Sequence, residues 1–117
     1  MLYYLATAYS LYPHGIEAAY REACGIAVRL QDLGLRVFSP IAVYHPVARD
    51  CRLDGRDHEF WMRRCRPWIE DCDALIVAMM DGWEQSRGIA EERELFMRAG
   101  KQVKLIDPVT LSGINGE

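Results

Sequence analysis

The chain has 117 residues, half of them hydrophobic and 26% charged, with a formal net charge of −3. That is the size and composition of one ordinary globular domain, which excludes the disordered and fibrous classes. No long basic run is present, so a nucleic-acid polymer is not expected as partner; free nucleotides remain open, because backbone amides and helix N-termini hold phosphate without net basicity.

The N-terminal Met1-Leu-Tyr-Tyr-Leu-Ala lacks the charged region and cleavage pattern of a signal peptide. Residues 2–8 form an apolar, aromatic-rich run that predicts a buried strand, and Tyr9 to Gly15 supply turn residues. From Ile16 the period becomes helical: Ile16, Ala19, Tyr20, Ala23, Ile26, Ala27, Leu30 and Leu33 share one face, and Gly34 is the stop. Leu35–Ser39 predicts a second strand, halted by Pro40, which completes a right-handed parallel βαβ unit. Residues 40–57 show neither period and are expected to be a long functional loop. A helix is expected over about 58–71, interrupted at Pro67, where a second short helix begins.

Asp73–Met79 is the most hydrophobic run and predicts the central strand. A turn over Asp81–Ser86 leads into a helix over 87–99 that ends at Gly100. Gln102–Ile106 predicts a last strand, and Asp107–Glu117 a tail. No repeat, low-complexity segment or linker divides the sequence, so residues 1–117 are read as a single domain.

No apolar run approaches the ~20 residues that span a bilayer, so no membrane contact is expected. Cys24, Cys51, Cys65 and Cys72 show no CxxC spacing, which predicts reduced thiols in a cytoplasmic protein. His14, His45 and His58 are scattered and form no metal motif; neither a metal nor a cofactor is expected. No GxGxxG follows the first strand, which argues against a dinucleotide binder.

The last helix contains an acid in an unexpected place. At ~100° per residue, Ile89, Glu92, Leu95, Phe96 and Ala99 share one face, while Arg87, Glu91, Glu94 and Arg98 fall opposite, toward water. An inward carboxylate costs several kcal/mol unless it is paired, hydrogen-bonded or set at a cavity. Glu92 is therefore either bonded to an inward Arg or a loop amide, or it faces a pocket as a nucleophile. The preceding turn, Gly82 to Gly88, follows the central strand directly, where parallel α/β sheets bind ligands. Ser86 fits a helix N-cap, Gly88 lets a ligand approach the backbone, and Trp83 is either a lid on the core or a stacking wall for a base.

Four segments then form a familiar pattern: Tyr4-Leu-Ala-Thr-Ala-Tyr-Ser10; Val37-Phe-Ser-Pro40 with His45; Trp68 followed by Cys72-Asp73-Ala-Leu-Ile-Val77; and Gly82-Trp-Glu-Gln-Ser-Arg-Gly-Ile-Ala-Glu-Glu92 with Gly100-Lys101. The chain resembles the nucleoside 2-deoxyribosyltransferase superfamily, and within it a small branch of domains of unknown function. The resemblance implies a flavodoxin-like three-layer α/β sandwich with a four- to five-stranded parallel sheet. It implies cleavage of the N-glycosidic bond of a nucleoside or nucleoside monophosphate, by a hydrolase or deoxyribosyltransferase. Glu92, in the pattern Ser86-x-Gly88-x-x-x-Glu92, would be the nucleophile of a double displacement. Tyr4, Ala6, Tyr9, Ser10, Ser39, His45, Trp83, Ser86 and Gly88 would contact substrate. A homodimer or larger homo-oligomer is implied as well.

One position departs from the family. The aspartate that assists the departing base is replaced by Cys65, which shares an apolar helical face with Trp61 and Trp68. A thiol is a poor acid at ordinary pKa and also fits as a small buried hydrophobe. Asp57, His45 and His58 are the other candidate acids; Asp57 alternatively caps a helix, and His45 alternatively sits in solvent on the loop. The alternative to catalysis is a nucleotide-binding module of the same fold without turnover.

Overall fold

Strands form at the apolar runs. In the computed structural model, which describes residues 1–115, β1 is Leu2–Ala6, β2 Arg36–Phe38, β3 Ala74–Ala78 and β4 Gln102–Ile106. Every neighbouring pair is parallel, in the order β2-β1-β3-β4. β3 is buried along its whole length, as an unbroken apolar run requires when both faces of a sheet are covered. The chain winds outward in opposite directions from β1 and β3, so a crevice opens beyond their carboxyl ends.

The helices are α1 (Ile16–Asp32), α2 (Pro40–Asp50), α3 (His58–Asp71) and α4 (Arg87–Arg98). Strand alternation sorts the core into two layers. Leu5, Ile76 and Ala78 face Ile26, Ala27 and Leu30 of α1. Tyr4, Ala6, Leu75 and Val77 face Cys65 and Ile69 of α3 and Ile89 and Phe96 of α4. The result is a three-layer, flavodoxin-like α/β sandwich with a four-stranded sheet.

Several boundaries differ from the sequence reading. Residues 40–57 are not one irregular loop: α2 occupies Pro40–Asp50. Ser39 leaves the strand and caps α2, its hydroxyl accepting from the Ala42 amide at 3.2 Å. Pro40 starts this helix as well as stopping the strand, because its fixed φ suits the first helical position. The apolar face of α2 is short (Ile41, His45, Ala48), with a histidine in its middle and Pro46 behind it, so its period is hidden. α3 runs through Pro67 without a break. The segment after β4 is a docked strap: Leu111 and Ile114 pack on the α1 side of the core, and Arg29 donates to the carbonyls of Pro108 and Val109.

Candidate active site

Beyond the ends of β1 and β3 lies a cavity of about 330 Å³. Its wall combines the end of β1 and the turn after it (Ala6, Thr7, Tyr9, Ser10), the start of α2 (Pro40, Ile41), one face of α3, and the first turns of α4 (Ser86, Gly88, Ile89, Glu92). The volume is at the lower end of small-molecule sites.

α4 is aimed by its cap. The Ser86 hydroxyl accepts from the Ile89 amide at 3.2 Å, which fixes where the helix begins. Ile89 and Phe96 then bury against the sheet, and Glu92 lies between them on the same face. Its carboxylate is half-buried and reaches the cavity wall. The Tyr4 hydroxyl donates to Glu92 Oε2. Tyr4 is fully buried between the rings of Phe38 and Phe96, at 5.8 and 5.5 Å, so the donor is held by the central sheet. Burial pushes the Glu92 carboxyl up to about 7; the Tyr4 bond works against this, and the nearby Glu91 charge adds to it. Among the described residues, no ion pair involves Glu92; the carboxylates that are paired are Glu17, Asp50, Glu91 and Glu94.

α3 contributes His58, Trp61, Met62 and Cys65, spaced so that all four share one face. Cys65 is buried, and burial pushes its thiol up to about 12, leaving it protonated at neutral pH. His58 begins the helix. Its Nε2 lies 2.9 Å from Glu91 Oε2, and Glu91 Oε1 accepts from Arg87 Nε at 3.1 Å. Glu91 is therefore half-buried and engaged, not turned to water as the helical wheel implied. Arg56 and Arg87 complete the mouth.

Tyr9 lines the wall with its ring, while its hydroxyl lies 2.6 Å from His45 Nδ1. His45 Nε2 lies 2.8 Å from Glu17 Oε1. His45 is 2% exposed, so it stands behind Tyr9, not in solvent. Burial pushes the Tyr9 hydroxyl up to about 12, against the opposing Arg56 charge.

Of the residues singled out in the sequence, Ala6, Tyr9, Ser10, His58, Cys65, Ser86, Gly88 and Glu92 meet around the cavity. Five others do not line it. Tyr4 reaches it only through Glu92. Ser39 caps α2, and His45 backs Tyr9. Asp57 is exposed and caps α3, accepting from the Glu59 amide at 3.1 Å. Trp83 packs on the core with the Arg93 guanidinium 5.7 Å above its ring. Sequence reasoning missed Thr7, Arg56, Trp61, Met62, Gln85 and Arg87 as wall residues. Trp61 and Met62 were accessible from helical spacing relative to Cys65; the others stand in turns or at helix starts, where no period exists.

No group of three or more His, Cys, Asp or Glu side chains capable of holding a metal occurs among the described residues. None of their helices is long and apolar enough to cross a membrane.

Among solved structures, the chain is similar to a 2-deoxyribosyltransferase from the psychrotolerant bacterium Bacillus psychrosaccharolyticus. The TM-score is 0.63 and the identity 24%, over 92% of this chain and 73% of that one. At that identity the likeness establishes a shared fold. No curated protein matches the chain. The model of one family, described as a domain of unknown function, DUF1937, matches residues 2–107. With nearly its whole length matched, the chain belongs to the DUF1937 family.

Proposed function

We propose that this protein cleaves the N-glycosidic bond of a nucleoside or nucleoside monophosphate, with Glu92 as the nucleophile. One observation carries the reading: a carboxylate without a cationic partner, held by a buried tyrosine, stands in the wall of a small cavity at the sheet's switch point. Among the described residues, the Tyr4 hydroxyl is the one hydrogen-bond partner of this carboxylate, which also borders the cavity. In the first half-reaction Glu92 attacks the anomeric carbon as the bond to the base breaks, giving a glycosyl-enzyme. Water then completes hydrolysis, or a second base completes transfer. Tyr4 is a positioning residue that holds the attacking oxygen.

Two features support a polar, partly anionic ligand. The Thr7 hydroxyl is buried at the cavity without a partner, a costly state that a ligand hydroxyl would relieve. Arg56 and Arg87 at the mouth suit a 5′-phosphate. Both are exposed, which also fits a working homo-oligomer in which a second copy covers the mouth. The fold shared with a 2-deoxyribosyltransferase supports the same chemistry.

The test is release of free base from a panel of deoxynucleosides and their 5′-monophosphates, followed by chromatography. Wild-type protein releases base, and Glu92→Ala lowers the rate by at least roughly a thousand-fold. Release that survives this substitution removes Glu92 from its role. A second reading, a nucleotide-binding module without turnover, is favoured by Cys65, a protonated thiol on the cavity wall at the position where the family resemblance implies an acid. Tight binding of a monophosphate without base release would establish it.

A further inference from the structure

Breaking a bond to a nucleobase leaves negative charge on the base, and a proton donor within the cavity removes that difficulty. Glu92 is committed to attack. The hydroxyl of Tyr9 and the thiol of Cys65 are both pushed to about 12 by burial, so neither gives up a proton readily near neutral pH. The arginines hold theirs permanently. The wall contains one imidazole, His58.

His58 is placed as an oriented acid would be. It lies on the cavity face of α3, two turns from Cys65. Its side chain is 22% exposed, and its Nε2 is taken by Glu91 at 2.9 Å. That bond fixes the ring and leaves Nδ1 for a ligand. Glu91 is itself fixed by Arg87, at 3.1 Å. Burial pushes the Glu91 carboxyl up, but the bonds from His58 and Arg87 outweigh this and hold it below its ordinary value. The Glu91 carboxylate therefore stands directly behind the ring, on the side away from the free nitrogen. Glu91 and Glu92 are consecutive on α4, so the same helix turn carries the nucleophile and the group that orients the imidazole.

We propose that His58, positioned by Glu91, is the proton donor to the departing base. This rests on the reading of Glu92 as nucleophile. As the bond between the anomeric carbon and the base nitrogen breaks, its electron pair goes to the base. The bond from Glu92 to the anomeric carbon forms. Protonated His58 passes its Nδ1 proton to the base, which leaves neutral. In the second half-reaction water attacks the anomeric carbon, its proton passes to neutral His58, and Glu92 departs as carboxylate. Where a second base is the acceptor, its ring N–H proton takes the same route. The protein returns to its starting protonation state in both cases.

The experiment compares two leaving groups in wild-type protein, His58→Gln and Glu91→Gln. One is the fastest natural substrate of the panel above, whose base needs a proton. The other is the p-nitrophenyl 2-deoxyriboside with the matching 5′ group, whose phenolate leaves unaided. His58→Gln is expected to lose about 100-fold or more on the natural substrate, in the range of general acid catalysis, and little on the nitrophenyl one. Glu91→Gln is expected to show the same selectivity to a smaller degree. An equal loss on both substrates would mean that His58 only shapes the cavity, and no loss on either would mean that it is a bystander; each overturns the proposal. Both outcomes leave the nucleophile intact, provided Glu92→Ala abolishes release from both substrates. If wild-type protein releases nothing from the panel, the nucleophile and the donor fall together. Thermal melts of each variant separate selective loss from unfolding.

Discussion

Glu92 shows how one side chain can hold opposing requirements. Folding raises its pKa from an ordinary 4.5 to about 7, chiefly by burial. The folded protein thus keeps a proton that the unfolded chain releases. The stability this contributes is complete below pH 4.5 and is lost as pH rises through 7. Above that the fold carries a poorly solvated charge, useful for attack and unfavourable for stability. Glu92→Gln keeps an acceptor for Tyr4 and removes the charge. It should stabilise the protein at pH 8 by about 2 kcal/mol, less than the full shift implies because solvent enters the cavity and screens it. At pH 5 the gain should shrink to little, and denaturant melts at the two pH values check this. A variant equally stabilised at both would show that the carboxyl is not charged against its surroundings.

At the scale of elements, α4 does most of the positioning. Its start is set by Ser86, and its register by Ile89 and Phe96 against the sheet. Removing the cap in Ser86→Ala should cost about 1 kcal/mol. It should also loosen the first turns, which carry Gly88 and Glu92. Hydrogen exchange should therefore rise at the amides of 87–91 while those of β3 keep their relative protection. α3 is aimed in a comparable way: Asp57 caps it, and Trp61 Nε1 donates to the Gly55 carbonyl at 2.7 Å, folding the preceding loop onto the cavity face. A Cβ at Gly55 would stand 2.9 Å from the Tyr9 hydroxyl, so a side chain there would have to displace that hydroxyl.

At the scale of the molecule, the C-terminal strap closes one side of the sandwich. Asp107 accepts from the amides of Val109 and Thr110, turning the chain back so that Leu111 and Ile114 cover the α1 side. Gly113 permits this. Its φ is +105°, and a Cβ there would stand 2.2 Å from the Leu105 carbonyl oxygen, against backbone that cannot yield cheaply. Gly113→Ala should undock the strap and destabilise the protein by about 1–3 kcal/mol. The urea midpoint should fall, and limited proteolysis should cut after residue 107. Resistance equal to wild type would show that the strap contributes little to the fold. The distant cavity should keep its ligand affinity in the surviving folded fraction.

The sequence by itself determined the layers of this protein. Long apolar periods survive reading one residue at a time, so α1, α3, α4, β1, β3 and β4 were legible within a few residues. Glu92 was legible for the same reason, as an acid interrupting a helical stripe. Tertiary structure decided what periodicity does not encode. α2 was hidden because its buried face includes His45, a polar residue that becomes apolar in effect only when Tyr9 and Glu17 satisfy its nitrogens. The Tyr4–Glu92 bond spans 88 residues, and the His58–Glu91 pair spans 33. Such contacts exist only once the parallel sheet has brought β1, α3 and α4 together, because the chemistry depends on distances in space and the pattern records only distances along the chain.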